Sequence, residues 1–377
     1  MKKLLRYLFT ILFGAQTLWA FQQVFIFGLG YTGLGIANVV RKNYPDCVVS
    51  GTCRSEEKME SLRNLDIDAH CFDLDGEISG LDDAGKMALL SSSHVISTIS
   101  PIWDIDDDPV LHFHGNDLKC SKPWLGYLST TGVYGNHDGE WVTETSSCLA
   151  PKTSRAFPRL AVESKWMNLL SGDSDGDGKA FVFRLSGIYG PGRSALATIK
   201  KDRAFQYGEE KGVSKTCDDN QRGVQESTPN YVNRIHVGDI ADAVVAAMEI
   251  GAEECPYGIY NLSDDDPTPR REVMAFARDL MSSSSTSSSS SSSVSSSSLP
   301  PPTSDEAPRE PSFLKQSEGT FKPTLGARAA RRVNENKRVA NNKMRQAGLL
   351  RGMGGRLRYP SFREGLTAEQ AGETYPF

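Results

Sequence analysis

The sequence predicts an α/β fold built on a doubly wound parallel sheet. Three observations carry that expectation. Short runs rich in Val, Ile, Phe and Leu alternate with stretches of helical composition from residue 24 to about 135, the order a parallel sheet needs because each crossover takes a helix. Several runs are continuously apolar, as strands covered on both faces are. The first run feeds into Gly28-x-Gly30-x-x-Gly33, which ends a strand and opens a helix.

The elements follow in order. A strand is expected at 24–28 (Val-Phe-Ile-Phe-Gly), and Leu34 to Val40 is helix-compatible. Further strands are expected at 47–53, 69–73, 94–99 and 124–129, each rich in β-branched or aromatic residues. A helix at about 157–170 precedes a strand at 180–185, and an irregular stretch runs to about 233. A helix at 239–250, a strand at 257–262 and a helix at 269–280 complete this part, 21–281. From about 186 onward, insertions are expected to form a smaller C-terminal substrate region.

Outside that core the composition changes. Ser282–Ser298 is serine apart from Thr286 and Val294, and three prolines follow at 300–302. Such a segment cannot bury apolar surface, so 282–312 reads as a disordered linker. Residues 313–377 hold a basic segment, helical from Arg328 to Arg345 by composition. Val333, Val339, Leu349 and Leu350 offer packing positions there, so it reads as a solvated or intramolecular docking face rather than a nucleic-acid patch. At the other end, Lys2, Lys3 and Arg6 precede an apolar stretch, Leu8 to Ala20. This is the pattern of a signal sequence, too short for a stable membrane span. It implies entry to the secretory pathway, and its Ala20-Phe21 exit resembles the plastid-targeting junction of algae with complex plastids.

The 377 residues carry a net charge of −5 at a sequence pI near 5.8, and the main body shows no basic cluster of nucleic-acid-binding kind. The seven cysteines have no CxxC and no metal-like spacing, and read as reduced, buried thiols. Asp173-x-Asp175-x-Asp177-Gly178 begins like a calcium loop, but Arg184 stands where the bidentate Glu belongs. Asp104 to Asp108 reads as a solvated loop. No metal is expected. Asn261-Leu262-Ser263 is a glycosylation sequon inside a strand-like run and reads as buried.

The glycine loop is the dinucleotide fingerprint in its structural context. Gly28 would make the turn, Gly30 would admit a pyrophosphate, and Gly33 would let helix and strand pack. Leu29, Tyr31 and Thr32 complete a loop whose phosphates would sit at a helix N-terminus. Arg54 follows the second strand, 21 residues after Gly33. An acidic residue there would hold the ribose 2′-hydroxyl of NAD, whereas Arg54 with Ser55 favours the 2′-phosphate of NADP, NAD remaining the alternative. Asp73 and Leu74 follow the third strand on the adenine side. Thr98 and Ser100 end the fourth, where open α/β sheets line their crevice.

Four further stretches carry a resemblance. Tyr127-Leu-Ser-Thr-Thr-Gly-Val-Tyr-Gly135 and Leu185-Ser-Gly-Ile-Tyr-Gly-Pro-Gly-Arg193 each follow a strand. Arg234-Ile-His-Val-Gly-Asp-Ile-Ala-Asp-Ala precedes Tyr260-Asn-Leu-Ser-Asp-Asp-Asp-Pro267. With the glycine loop, they resemble the extended short-chain dehydrogenase/reductase superfamily, the NAD-dependent epimerase/dehydratase group, over about 24–281. The resemblance implies a Rossmann-type fold, a nicotinamide cofactor, a small-molecule substrate and a homodimer as an available assembly. Its catalytic set is a Ser/Thr, a Tyr and a Lys four residues later, the Tyr exchanging a proton with the substrate oxygen.

The chain departs from that set. Thr130 holds the Ser/Thr position, but Tyr-x-x-x-Lys is replaced by Arg159-Leu-Ala-Val-Glu163. The two share a helix face, and an arginine cannot give up its proton. Arg159 and Glu163 either pair or hold ribose or substrate; Lys165 falls on another face. Tyr134 and Tyr189 read as packing residues and His236 as structural. Arg193 resembles the group's substrate-side arginine, and His137 is an alternative acid/base. Phe27 stands where the group's usual first glycine would be. The expected function is hydride transfer on a small alcohol, carbonyl or nucleotide-sugar-like compound. The alternative is a non-catalytic NADP-binding redox sensor or scaffold.

Overall fold

The structure is a computed structural model that describes residues 22–72, 74, 80–102, 107–171, 179–208, 229–250, 255–286, 335–352 and 354–377. The expected signal sequence, Asp73, the calcium-like loop, Val333 and most of the serine tract lie outside these residues.

Seven parallel strands form the central sheet: β1 (Gln23–Phe27), β2 (Val48–Cys53), β3 (Asp68–Cys71), β4 (His94–Ser97), β5 (Trp124–Thr130), β7 (Phe181–Leu185) and β10 (Gly258–Leu262). Their order is β10-β7-β5-β4-β1-β2-β3. The chain therefore winds outward from β1 in both directions, and the order reverses between β1 and β4, where such sheets open a crevice at their carboxyl ends. This is a Rossmann-type α/β fold.

Helices cover both faces: α1 (Tyr31–Asn43), α2 (Glu56–Arg63), α3 (Asp83–Ser91), α4 (Pro109–Ser121), α5 (Phe157–Asn168) and α7 (Val237–Ile250). Alternation along β1 decides which face each residue serves. Val24 and Ile26 join the cluster containing Ile36 and Val40 of α1 and Ile240 and Val244 of α7. Phe25 and Phe27 join the opposite cluster with Val110 and Leu118 of α4 and Val162 and Trp166 of α5. Phe27, where the related group has a glycine, is a fully buried aromatic 4.8 Å from Phe25 and 5.8 Å from Phe72.

The stretch expected to be irregular holds β8 (Gly187–Tyr189) and α6 (Ala195–Gly208), and β9 (Arg234–His236) pairs parallel with β8. Short pairing segments leave no periodicity to read in sequence. Beyond β10, α8 (Arg270–Thr286) runs into the start of the serine tract.

Over its described residues, from 335 on, the basic C-terminal segment is not the continuous helix expected to run to Arg345; residues 328–334 lie outside them. Its described part forms β11 (Arg338–Val339), which pairs with β6 (Trp141–Val142), and the short α9 (Asn342–Gln346). Its docking role stands: Val339 and Leu349 are buried and Leu350 is 9% exposed. α10 (Phe362–Gln370) then buries Phe362 and Leu366 against α6 and α8.

Two smaller expectations are corrected. Asp108 is fully buried rather than solvated, capping α4 by accepting the Val110 and Leu111 N–H groups at 3.0 Å, and Asp107 pairs with Lys165. The described cysteines form no disulfide, but only Cys47, Cys53 and Cys255 of them are buried; Cys120 is exposed. Asn261 is fully buried, as its strand position implied.

Candidate functional site

Because all seven strands are parallel, their carboxyl ends share one edge, and the candidate site opens there. A cavity of about 440 Å³ is lined by Gly30, Tyr31 and Thr32 after β1, Thr98 and Ser100 after β4, Leu128, Ser129 and Thr130 of β5, and Arg159 of α5. Leu185, Ser186, Ile188 and Arg193 close the far side. Residues expected to bind cofactor and residues expected to meet substrate thus share one space.

The glycine loop is pinned from both neighbouring strands. Gly28 N–H donates to Thr52 Oγ1 at 2.8 Å, and Thr98 Oγ1 donates to Gly28 O at 2.8 Å. Gly28 has φ +89°, a turn conformation that disfavours a side chain. A Cβ on Gly33 would lie 2.1 Å from Gly28 O, so helix and strand meet there only because the side chain is absent. Gly30 differs: a Cβ there would meet nothing within 4 Å. Its open face looks into the cavity.

Gly30 also caps α1 without a side chain to accept from the helix. The first-turn N–H groups of Tyr31, Thr32 and Gly33 therefore lack intrahelical acceptors, and the helix dipole adds partial positive charge. An anion fits this cradle. Leu29 contributes backbone only: its side chain is 2% exposed in the core and its N–H is tied to Thr52 O at 2.7 Å.

Tyr31 roofs the loop. Its hydroxyl donates to Pro191 O at 3.1 Å, Arg193 stacks 5.6 Å from its ring centroid, and Phe377 lies 5.1 Å away on the other ring. Burial, then Glu369, pushes its phenol above the usual range.

Arg54 is exposed just past β2, and Ser55 caps α2 by accepting the Lys58 N–H at 3.3 Å. Leu74 is half-buried against the second core cluster. These stand at the ends of β2 and β3, beside the cavity rather than in its lining.

Arg159 and Glu163 part company. Arg159 donates through Nη1 to Leu128 O at 3.1 Å and Tyr127 Oη at 3.4 Å, and through Nη2 to Ser100 Oγ at 2.5 Å. It faces the cavity. Glu163 is 2% exposed and takes no part in the lining. It pairs with Arg184 of β7 at 2.7 Å and accepts from Ser129 Oγ at 2.5 Å. Glu163 pairs with Arg184 rather than Arg159 and stays out of the cavity lining, because β7 supplies a buried guanidinium that demands a carboxylate.

Thr130 lines the cavity, its Oγ1 accepting the Gly132 N–H at 3.1 Å, which leaves its own O–H to donate. His137 is not brought to the site: its ring contacts Ser147 O at 3.1 Å, and its N–H and that of Gly139 donate to Asn336 O. Tyr134 and Tyr189 are buried and bonded to Asn261 and Ser361. His236 is structural, its Nδ1 accepting the Gly238 N–H at 3.0 Å under the Tyr359 ring.

Sequence reasoning missed two lining residues with chemistry. Ser129 and Ser186 both belong to the cavity wall, Ser129 with its hydroxyl committed to Glu163 and Ser186 with its Oγ buried and without a partner. Ser129 precedes Thr130 and Ser186 follows the end of β7, positions at a strand's carboxyl end that could have flagged them. Among the described residues no cluster of His, Cys, Asp and Glu could hold a metal, and no helix is long and apolar enough to cross a membrane.

No protein-family model and no curated protein matches the chain. Solved structures do. A conserved protein of unknown function from Silicibacter pomeroyi DSS is 28% identical over 94% of this chain and 99% of its own, with a TM-score of 0.59. The dTDP-glucose 4,6-dehydratase of Bacillus anthracis, in complex with NAD, is 12% identical over 93% of this chain and 97% of its own, TM-score 0.57. A human epimerase family protein with NADPH is 14% identical over 93% and 100%, TM-score 0.50. The chain shares its fold with proteins of the epimerase/dehydratase and short-chain dehydrogenase/reductase type.

Proposed function

We propose that this chain binds a nicotinamide dinucleotide, preferring NADP, and transfers hydride to or from a small alcohol or carbonyl compound. The observation that carries the reading is the cradle at the start of α1. A glycine face with open space beyond it, unpaired helix N–H groups and a neighbouring guanidinium meet at the sheet's switch point. The neighbours with NAD and NADPH support the cofactor class. Arg54, exposed past β2 with no carboxylate at that strand end, supports the 2′-phosphate.

The residues divide the work. Gly30 and the N–H groups of α1 would receive the pyrophosphate, and Arg54 with Ser55 would hold the 2′-phosphate of the adenosine ribose. When bound, the cofactor supplies or accepts the hydride. Thr130 would donate a hydrogen bond from its hydroxyl to the substrate oxygen, and Arg159 would set a fixed positive charge in the same cavity. Among the described residues the lining holds no His, Lys, Asp or Glu. Any net proton exchange therefore runs through water or a hydroxyl group. That same absence favours the second reading, an NADP-binding module that senses or scaffolds without turnover.

Fluorescence titration of the full chain with NADPH and NADH tests the first claim. NADPH is expected to bind at least about tenfold more tightly, in keeping with charge-assisted bonds of about 1.5–3 kcal/mol, and Arg54→Ala to erase the difference. Equal affinity in the unmodified protein removes the NADP preference; binding of neither removes the reading. NADPH consumption with a panel of aldehydes, ketones and nucleotide sugars then separates enzyme from module.

A further inference from the structure

We propose that the cavity takes a second anion beside the cofactor, a carboxylate or phosphate borne by the substrate, and that Arg159 binds it. The proposal rests on the reading above for the cofactor and adds the substrate's chemical class.

The cavity's charge is one-sided. Among the described residues two guanidinium groups, Arg159 and Arg193, enter its lining, and no carboxylate does. Elsewhere Arg184, Arg345, Arg351, Arg358 and Arg363 each face an Asp or Glu. Arg159 faces three neutral acceptors instead: Leu128 O, Tyr127 Oη and Ser100 Oγ. Three hydrogen bonds leave part of its five-donor fork unused. A half-buried guanidinium held without a counter-ion is an electrostatic vacancy that an anion fills.

Position assigns the anion to substrate rather than cofactor. The pyrophosphate cradle lies after β1. Arg159 is anchored on β5, two strands away across β4, which is roughly 10 Å at the usual strand spacing. The other lining arginine, Arg193, stacks on Tyr31 of the glycine loop. Around Arg159 the wall offers Ser100 and Thr130, and Ser186 Oγ stands buried and unpartnered in the same lining. Thr130 and Arg159 together suit a substrate with a reacting oxygen at one end and an anionic group at the other, such as an oxo- or hydroxy-acid or a sugar phosphate. Arg159 holds that group as a fixed charge, a task that needs no proton transfer.

The test uses the full chain saturated with NADP⁺, at constant ionic strength, titrated with malonate and with inorganic phosphate and read by calorimetry and thermal shift. At least one probe is expected to bind saturably, and the two arms tell carboxylate from phosphate. Arg159→Gln should weaken it by roughly tenfold or more, Arg159→Lys by less, with NADP⁺ affinity held within about threefold in both. The absence of saturable binding in the unmodified protein overturns the proposal, as does an unchanged anion affinity in Arg159→Gln. An equal loss of NADP⁺ affinity assigns Arg159 to the cofactor and also overturns it. Should NADP⁺ itself not bind, the function proposed above fails, and the same titrations on the free protein still decide whether Arg159 holds an anion.

Discussion

Gly30 and Gly33 occupy one loop under opposite constraints. At Gly33 the absent side chain is a packing requirement, since a Cβ would collide with Gly28 O at 2.1 Å. At Gly30 the backbone is extended (φ −81°, ψ −160°) and the space beyond is open, so a side chain fits the fold and fills the cradle. Gly30→Val is therefore expected to melt within a few degrees of the unmodified protein yet lose NADPH binding. Gly33→Ala should lose roughly 1–3 kcal/mol of stability by overpacking. Paired denaturant melts and fluorescence titrations check both, and a Gly30→Val protein that binds NADPH normally would refute the cradle. The motif itself was legible in sequence. Which glycine serves the ligand and which serves packing was not, because that depends on what lies across each Cα.

At the scale of elements, α5 shows where spacing stops being informative. Arg159 and Glu163 do share a helix face, yet one meets the cavity and the other β7. The i, i+4 rule fixes direction but not what stands opposite, and Arg184 comes from a strand that sequence could place only approximately. The junction of β9 and α7 makes a second case. His236 accepts the Gly238 N–H, which requires an unprotonated Nδ1. Burial, then Arg358, pulls its pKa down to about 3. The unfolded imidazole takes its proton near 6.5, so the unfolded state binds more protons between those values and stability falls as pH drops from about 6.5 toward 3. His236→Asn, which keeps an acceptor without titrating, is expected to flatten that part of the stability–pH curve in urea melts from pH 7 to 4. An unchanged slope would show that His236 is not responsible.

For the whole molecule, the C-terminal segment is part of the main body rather than an appendage. Met344, Leu349 and Leu357 belong to the same cluster as β1 and α7. Asn336 accepts through its side chain from Tyr231 N–H and through its backbone from His137 N–H. Phe377 reaches the ring of Tyr31. Leu349→Ala is accordingly expected to cost about 2–5 kcal/mol in equilibrium unfolding, the range for a buried leucine; a loss near zero would mean the segment docks without supporting the core. The packing positions were legible as apolar residues in a basic stretch, but their secondary structure was not, since two-residue strands have no period.

By itself the sequence determined the strand–helix alternation, the glycine turn and the arginine past β2. These are local properties, written in runs of neighbouring residues whose backbone preferences act over a few positions. The tertiary structure decided which side chains share a cavity. Ser100 and Arg159 meet although 59 residues separate them, and Arg184 takes Glu163 across 21. Long-range contacts of this kind are chosen by sheet order and burial, which no local periodicity encodes. They leave one cavity lined by two arginines and no carboxylate.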